Sequence, residues 1–200
     1  MKKLLHTSII SGALLMMSSA YAENISPRHG FVNNPPSRAF LCSAGGGNLN
    51  KNCGGVQYEP QSVEGSKGFP SAGPKDGEIA SGGKLSFNEL NAQSATRWRH
   101  IDINTGKQTF TWNLTAPHST ESWKFYITKE NWNPNQPLSR EQLNLTAFCE
   151  RSDSGKVPTS TVNVECVVPN VKSGYYIILA VWNIADTGNA FYQVIDANIK

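Results

Sequence analysis

Two histidines in this sequence could together bind a metal ion. His29 follows an N-terminal leader, and His118 lies between two stretches with the alternating pattern of β-strands. If His29 were the first residue of the working protein, its α-amine would add a third nitrogen to the two imidazoles. Three nitrogens in a flat T shape suit Cu(II). We therefore predict a copper site with His29 and His118 as ligands.

The remaining histidines do not suggest a second site. His6 lies in the leader, and His100 is expected to be a partly exposed strand residue. No thiolate or close carboxylate pair accompanies the two predicted ligands, which argues against zinc, magnesium or calcium. Phe191 and Tyr192 could shield the axial direction of the metal. A role as core aromatics is an equally good interpretation of these two residues.

Residues 1–22 have the features of a signal peptide. Two lysines precede a short apolar run, and Ala20-Tyr21-Ala22 forms a cleavage site of the A-x-A type. The apolar run is too short to span a bilayer, and we expect a secreted protein without a membrane span. Residues 23–28 form a short spacer or pro-segment before a single domain at residues 29–200.

The predicted copper site depends on which peptide bond is cut. Cleavage after Ala22 would leave six residues before His29, whose backbone nitrogen would then be an amide. An amide nitrogen of that kind cannot serve as the amine ligand. The hypothesis therefore requires cleavage between Arg28 and His29.

The charge and cysteine content restrict the possible partners and the environment. The net charge is only +3, and without a basic run there is no electrostatic case for binding nucleic acid. Four cysteines in an exported protein favour disulfides, and three pairings are possible. We favour Cys42–Cys53 and Cys149–Cys166, because each pairing closes a short local loop.

The second half of the chain has the pattern of an all-β protein. Apolar residues alternate over residues 109–114 and 161–168, as in strands with one buried face. Further strands are expected at residues 123–127 and 190–199. Residues 174–184 form a longer apolar run, as expected of a strand buried on both sides. Short helices are expected at residues 139–143 and within the early loop region, residues 35–89. This spacing predicts a β-sandwich of immunoglobulin or fibronectin type III kind. Residues 35–89, rich in Gly and Pro, are expected to be a long, ordered functional loop region with short helices.

Several stretches of the chain resemble one known family. The matching stretches are His29–Val32, Pro36–Arg38, Cys53–Gly65, Gly68–Pro70, Asp76–Gly77, Phe110–Trp112, Thr115–Thr120, Tyr126–Thr128, Ile178–Trp182 and Ala190–Gln193. In this order they resemble the bacterial chitin-binding proteins grouped as lytic polysaccharide monooxygenases, auxiliary activity family ten. The resemblance covers nearly the whole chain from His29 onward.

The resemblance implies a role for particular residues. One copper ion per chain would be bound by His29 and His118, with Ala116 and Phe191 on its axial side and Glu64 as a nearby acid. Trp182 would be the buried tryptophan behind the site. The flat substrate-facing surface would be formed by Tyr58, Glu59, Glu64, Thr115, His118, Asp186 and Asn189.

The activity implied is oxidative cleavage of crystalline chitin, with C1 as the expected position of oxidation. It would require an external electron donor and oxygen or hydrogen peroxide, and we expect a monomer. The alternative is an adhesion or colonisation protein that binds chitin or N-acetylglucosamine without catalysis. Chitin and cellulose remain open as substrates at this point.

Overall fold

The structure is a computed structural model that describes residues 29–200. The predicted signal peptide (1–22) and spacer (23–28) lie outside the described residues. The strands of the described part are β1 (His29–Asn34), β2 (Glu64–Ser66), β3 (Ile101–Ile103), β4 (Gly106–Ala116), β5 (Thr120–Ile127), β6 (Cys149–Lys156), β7 (Thr161–Val168), β8 (Gly174–Ile184) and β9 (Asn189–Ile199). Its helices are α1 (Arg38–Cys42) and short 3-10 helices at Gly54–Gln57, Pro60–Ser62, Ile79–Ser81, Leu85–Asn91 and Arg140–Gln142.

The strands form two sheets that pack as a β-sandwich, which confirms the predicted fold class. The smaller sheet has the order β1-β4-β7. The larger has the order β2-β9-β8-β5-β6, with β3 also paired to β9. All pairings are antiparallel except the one between β3 and β9.

The alternation of residue types explains how the strands face the core. Along β7 every second residue from Val162 to Val168 is buried, and the residues between them are exposed. Phe110, Trp112 and Leu114 of β4 point into the same core. The bounds of β7 and β8 match the sequence prediction, whereas β4 extends beyond the predicted residues 109–114 at both ends.

Strand β8 is buried on both faces, as its continuous apolar run predicts. Ile178, Ala180 and Trp182 face the core between the sheets. The alternate residues on its outer face pack under the long segment between β1 and β3, where Phe69 and Phe87 are buried. This segment therefore covers the outer face of the larger sheet and is an ordered part of the domain.

Buried contacts fasten this covering segment to the sheet. The Arg38 guanidinium forms a bidentate ion pair with Asp196 of β9, with Nε–Oδ2 and Nη2–Oδ1 distances of 2.9 and 2.6 Å. Both side chains are buried. The ion pair thus holds α1 against the strand that also carries Phe191.

Both predicted disulfides are confirmed. Cys42–Cys53 closes a loop within the covering segment, and Cys149–Cys166 joins β6 of the larger sheet to β7 of the smaller one. The part of the chain that the structure describes has no free cysteine. In residues 29–200 no helix combines the length and apolar character that crossing a membrane requires.

Candidate metal centre

His29 is the first residue of β1 and lies opposite Ala116, the last residue of β4. The side chain is partly buried. This burial and the positive charge of Lys84 lower the pKa of His29, against the opposing effect of the Glu59 and Glu64 carboxylates. A lowered pKa keeps the imidazole neutral at pH 7, which is the form that binds metals.

His118 lies at the same edge of the sandwich as His29. Strand β4 ends at Ala116 opposite His29, and His118 follows two residues later, before β5 begins at Thr120. His118 is also partly buried. The antiparallel pairing of β1 with β4 therefore brings the two predicted ligands to neighbouring positions, although they are 89 positions apart in the sequence.

The turn that carries His118 is fastened to the core by a chain of two hydrogen bonds. The indole Nε1 of Trp182 donates to the hydroxyl oxygen of Thr120 at 2.9 Å. The same hydroxyl donates to the carbonyl oxygen of His118 at 2.8 Å. Thr120 and Trp182 are both fully buried. The backbone of His118 is thus fixed by a side chain of the central strand β8.

Trp182 also supports the segment that carries His29. A Cβ atom at Gly30 would lie 2.6 Å from Leu114 Cδ2 and 3.0 Å from Trp182 Cζ3, so only glycine lets β1 approach this closely. The ring of Phe191 stacks on Trp182 at a centroid distance of 4.9 Å. The Trp182 indole therefore packs against β1, which carries His29, and is linked through the Thr120 hydroxyl to the turn that carries His118.

Glu64 and Phe191 are brought together by the pairing of β2 with β9. The two residues lie opposite each other, and the side-chain amide of Asn189 donates to Glu64 Oε1 at 2.8 Å. Phe191 is fully buried against Trp182, whereas Glu64 is partly exposed. The Asn189–Glu64 hydrogen bond therefore links two of the predicted site residues directly.

The predicted substrate-facing residues lie at or near the surface. Tyr58 is 83% exposed, and Glu59, Thr115, Asp186 and Asn189 are exposed as well. The Thr115 hydroxyl donates to the carbonyl oxygen of His29 at 3.4 Å, so Thr115 borders the predicted ligand. Asp186 lies in the connection between β8 and β9, a few residues before Asn189.

The donor atoms at this edge fit copper. Among residues 29–200 there is no cluster of three or more His, Cys, Asp or Glu side chains that could hold a metal ion. A metal at His29 and His118 therefore needs a third donor of another kind, and cleavage before His29 would create one, the α-amine. Two imidazoles and an amine form an all-nitrogen set, which suits Cu(II).

Two residues of this arrangement could not be predicted from the sequence. Thr120 was part of a matching stretch, but its place between Trp182 and His118 depends on pairing between distant strands. Lys84 gave no signal at all, because a lysine in a glycine-rich segment is usually a solvated surface residue. In the structure its ammonium donates to the carbonyl oxygen of Ser62 at 2.9 Å, close to the segment that carries Tyr58 and Glu59.

The family model and the solved structures that match this chain belong to one family. Residues 29–197 match a family model described as "Lytic polysaccharide mono-oxygenase, cellulose-degrading". A solved structure of an AA10 LPMO from Photorhabdus luminescens is 52% identical and covers 86% of this chain and 99% of its own, with a TM-score of 0.85. The catalytic domain of an LPMO from Listeria monocytogenes is also 52% identical, with the same coverage and a TM-score of 0.81.

Curated relatives include proteins much longer than this chain and one that matches it along its whole length. GlcNAc-binding protein A of Shewanella oneidensis is 46% identical over the whole of this chain, which spans only 41% of that protein. For GlcNAc-binding protein A of Yersinia enterocolitica the spanned share is 34%. The lytic chitin monooxygenase of Enterococcus faecalis is 44% identical, and the match covers the whole of both chains.

Proposed function

The chain belongs to the lytic polysaccharide monooxygenases of auxiliary activity family ten, and from that premise we propose that it is a secreted enzyme that cleaves crystalline chitin. The observation that supports the proposal is the pairing of β1 with β4, in which His29 lies opposite Ala116, two residues before His118. Exposed Tyr58 and Glu59 belong to the covering segment and are proposed to bind the substrate near that edge.

We assign the metal to one copper ion per chain, held by the imidazoles of His29 and His118 and the α-amine of a mature His29. When bound, copper supplies the redox chemistry by which oxygen or hydrogen peroxide, with electrons from an external donor, oxidises a glycosidic carbon. We propose C1 as that carbon. The protein's part is to hold the donor atoms, and the Trp182–Thr120–His118 hydrogen bonds support that role.

The remaining site residues have positioning roles in this proposal. Glu64, held by the Asn189 amide, presents a carboxylate at the edge of the site and can hold a proton or orient the small oxidant. Ala116 lies opposite His29 and would limit the space beside a bound metal, while buried Phe191 would shape the site from the core side. A Glu64→Gln variant should keep its copper and its chitin binding but form less product.

The proposed substrate surface consists of exposed side chains around the two histidines. Tyr58 offers an aromatic ring, and Glu59, Thr115, Asp186 and Asn189 offer hydrogen-bonding groups. An exposed surface of this kind can contact a crystal face, whose chains cannot enter an enclosed cavity. We propose chitin because one full-length relative is named a lytic chitin monooxygenase, and cellulose is the competing substrate because the family model's description names it.

The first experiment determines the N-terminus and the metal. The intact mass of the secreted protein should correspond to a chain that begins at His29. Copper titration should then give one tight site, which His118→Ala should weaken strongly. His100→Ala is the matched control, because it removes a histidine that stacks on Tyr175 instead. A mass that begins at Glu23, or equal copper binding by both variants, would contradict the proposed metal site.

The second experiment tests the reaction. Copper-loaded protein that begins at His29 should release chito-oligosaccharides with oxidised C1 ends from β-chitin when a reductant is present. Cellulose is incubated in parallel. If oxidised products come only from cellulose, the substrate proposal is wrong. If chitin is bound but no oxidised product forms from either polymer, the non-catalytic chitin-binding function replaces the enzymatic one.

A further inference from the structure

The two most exposed large hydrophobic side chains in residues 29–200 are Leu85 and Tyr58, at 88% and 83% exposure. Tyr58 already belongs to the proposed substrate surface, whereas Leu85 has no role so far. Single exposed hydrophobic residues are common, but adjoining ones mark interaction surfaces. The exposure of Leu85 therefore indicates an interaction surface only if Leu85 lies beside Tyr58.

Lys84 fixes one side of the backbone at Leu85. Its ammonium donates to the carbonyl oxygen of Ser62 at 2.9 Å and lies 5.4 Å from the centre of the Phe87 ring. The side chain is only partly exposed, so this hydrogen bond is partly shielded from water. This hydrogen bond therefore joins residue 84 to the end of the segment that carries Tyr58 and Glu59.

Ser86 fixes the other side. A Cβ atom placed on Gly55 would lie 3.2 Å from the carbonyl oxygen of Ser86, so these two backbones are in contact. Tyr58 lies between Gly55 and Ser62 in the chain, and its backbone N–H donates to the carbonyl oxygen of Gly55 at 3.1 Å. Residue 85, between the two contact points, therefore runs alongside the segment that carries Tyr58.

We propose that Leu85 extends the substrate surface beyond Tyr58 and makes an apolar contact with the chitin chain. The proposal rests on the proposed function and adds a residue to the same surface. A leucine side chain offers no hydrogen bond, so its partner must be apolar. Chitin supplies such partners in the methyl of each acetamido group and in the C–H faces of its sugar rings. Lys84 holds this leucine in place through Ser62.

The test measures binding of copper-free protein to β-chitin by depletion from solution. Leu85→Ser should weaken binding by about three- to tenfold, since part of one leucine side chain is removed from water at the crystal face. Leu85→Met, which keeps the apolar area, should bind within about twofold of the wild type. Both variants should keep the thermal stability of the wild type, because the side chain makes little contact within the fold.

Val167→Ser is the matched control. Val167 is also exposed, at 63%, and lies on β7 opposite Lys107. That position is nine residues from Ala116 along β4, or about 30 Å from the metal edge. This variant should bind chitin as the wild type does.

The outcomes separate this inference from the proposed function. If Leu85→Ser binds chitin as well as Val167→Ser does, Leu85 is not part of the surface and the inference is wrong, while the proposed function stands. If Leu85→Met loses as much binding as Leu85→Ser, the contact is not apolar, and the inference is again wrong. If the wild type itself does not bind chitin, the proposed substrate fails and the inference fails with it.

Discussion

Replacing Thr120 by valine should separate the metal site from its support in the core. The substitution keeps the shape of the side chain but removes the hydroxyl that accepts from Trp182 Nε1 and donates to the His118 carbonyl oxygen. Trp182 is fully buried, so its indole N–H would lose its acceptor where water does not reach. Leaving a buried donor unpaired costs about 1–3 kcal/mol, and the lost bond to His118 adds about 1 kcal/mol.

The expected loss for Thr120→Val is therefore about 2–4 kcal/mol in the free energy of unfolding. For a domain of this size that corresponds to a decrease in Tm of roughly 5–15 °C. The assay is urea unfolding of the copper-free protein, followed by tryptophan fluorescence, because Trp182 stacks on Trp123 in the core. Thr120→Ser is the control, since it keeps the hydroxyl and removes only a methyl group, at a cost of about 1 kcal/mol.

The same pair of variants tests the link to the metal. Without the bond to its carbonyl oxygen the His118 turn is less constrained, and we expect copper affinity to fall by roughly tenfold, as for loss of other outer-shell supports. Thr120→Ser should bind copper like the wild type. If Thr120→Val matches Thr120→Ser in both stability and copper affinity, the hydrogen-bond chain through Thr120 does not support the site.

Three further predictions concern the scaffold. Arg38→Met should destabilise the protein by about 3–5 kcal/mol in urea unfolding, because it leaves the buried Asp196 carboxylate without a positive charge, with the Tyr175 hydroxyl still donating to it; a loss under 1 kcal/mol would contradict this. Burial lowers the pKa of His100 from its ordinary value of 6.5, so its stabilising effect is present above about pH 6.5 and is lost as the pH falls through the folded-state pKa. His100→Gln should therefore reduce the acid-induced loss of stability, measured by denaturation of copper-free protein between about pH 7 and 5; an unchanged pH dependence would refute this. Replacing Cys149 and Cys166 by serine removes a bridge across 17 residues and should cost about 3 kcal/mol, with chitin binding retained; stability equal to the wild type would show that the bridge is not needed.

The sequence predicted strands correctly where one or both faces of the strand are buried. β7 alternates strictly, and the apolar run of β8 is buried on both sides, so in both cases residue type follows the environment. β6 was missed because it is an edge strand whose residues are nearly all polar and exposed. The short β2 and β3 were missed because three residues are too few to show any period.

The long covering segment shows a different limit. Its residues alternate with neither the period of a strand nor that of a helix, because it crosses the outer face of the sheet as short helices, the three-residue strand β2 and turns. Phe69 and Phe87 gave the correct indication that it is ordered. Its contacts with β8 and β9 depend on the whole sheet being formed, so the pattern of the segment alone could not reveal what it covers.

The candidate site also contains residues that the sequence could reveal and residues that it could not. His29 and His118 could be predicted because imidazole at these positions has a distinct chemistry. Thr120 could not, because its role comes from lying between an indole on β8 and a carbonyl group in the β4–β5 turn. Both histidine segments meet the same indole, Trp182, so the separation of the two ligands depends on how the core packs. A change to the core at Trp182 should therefore alter metal binding even though the indole lies behind the proposed ligand set.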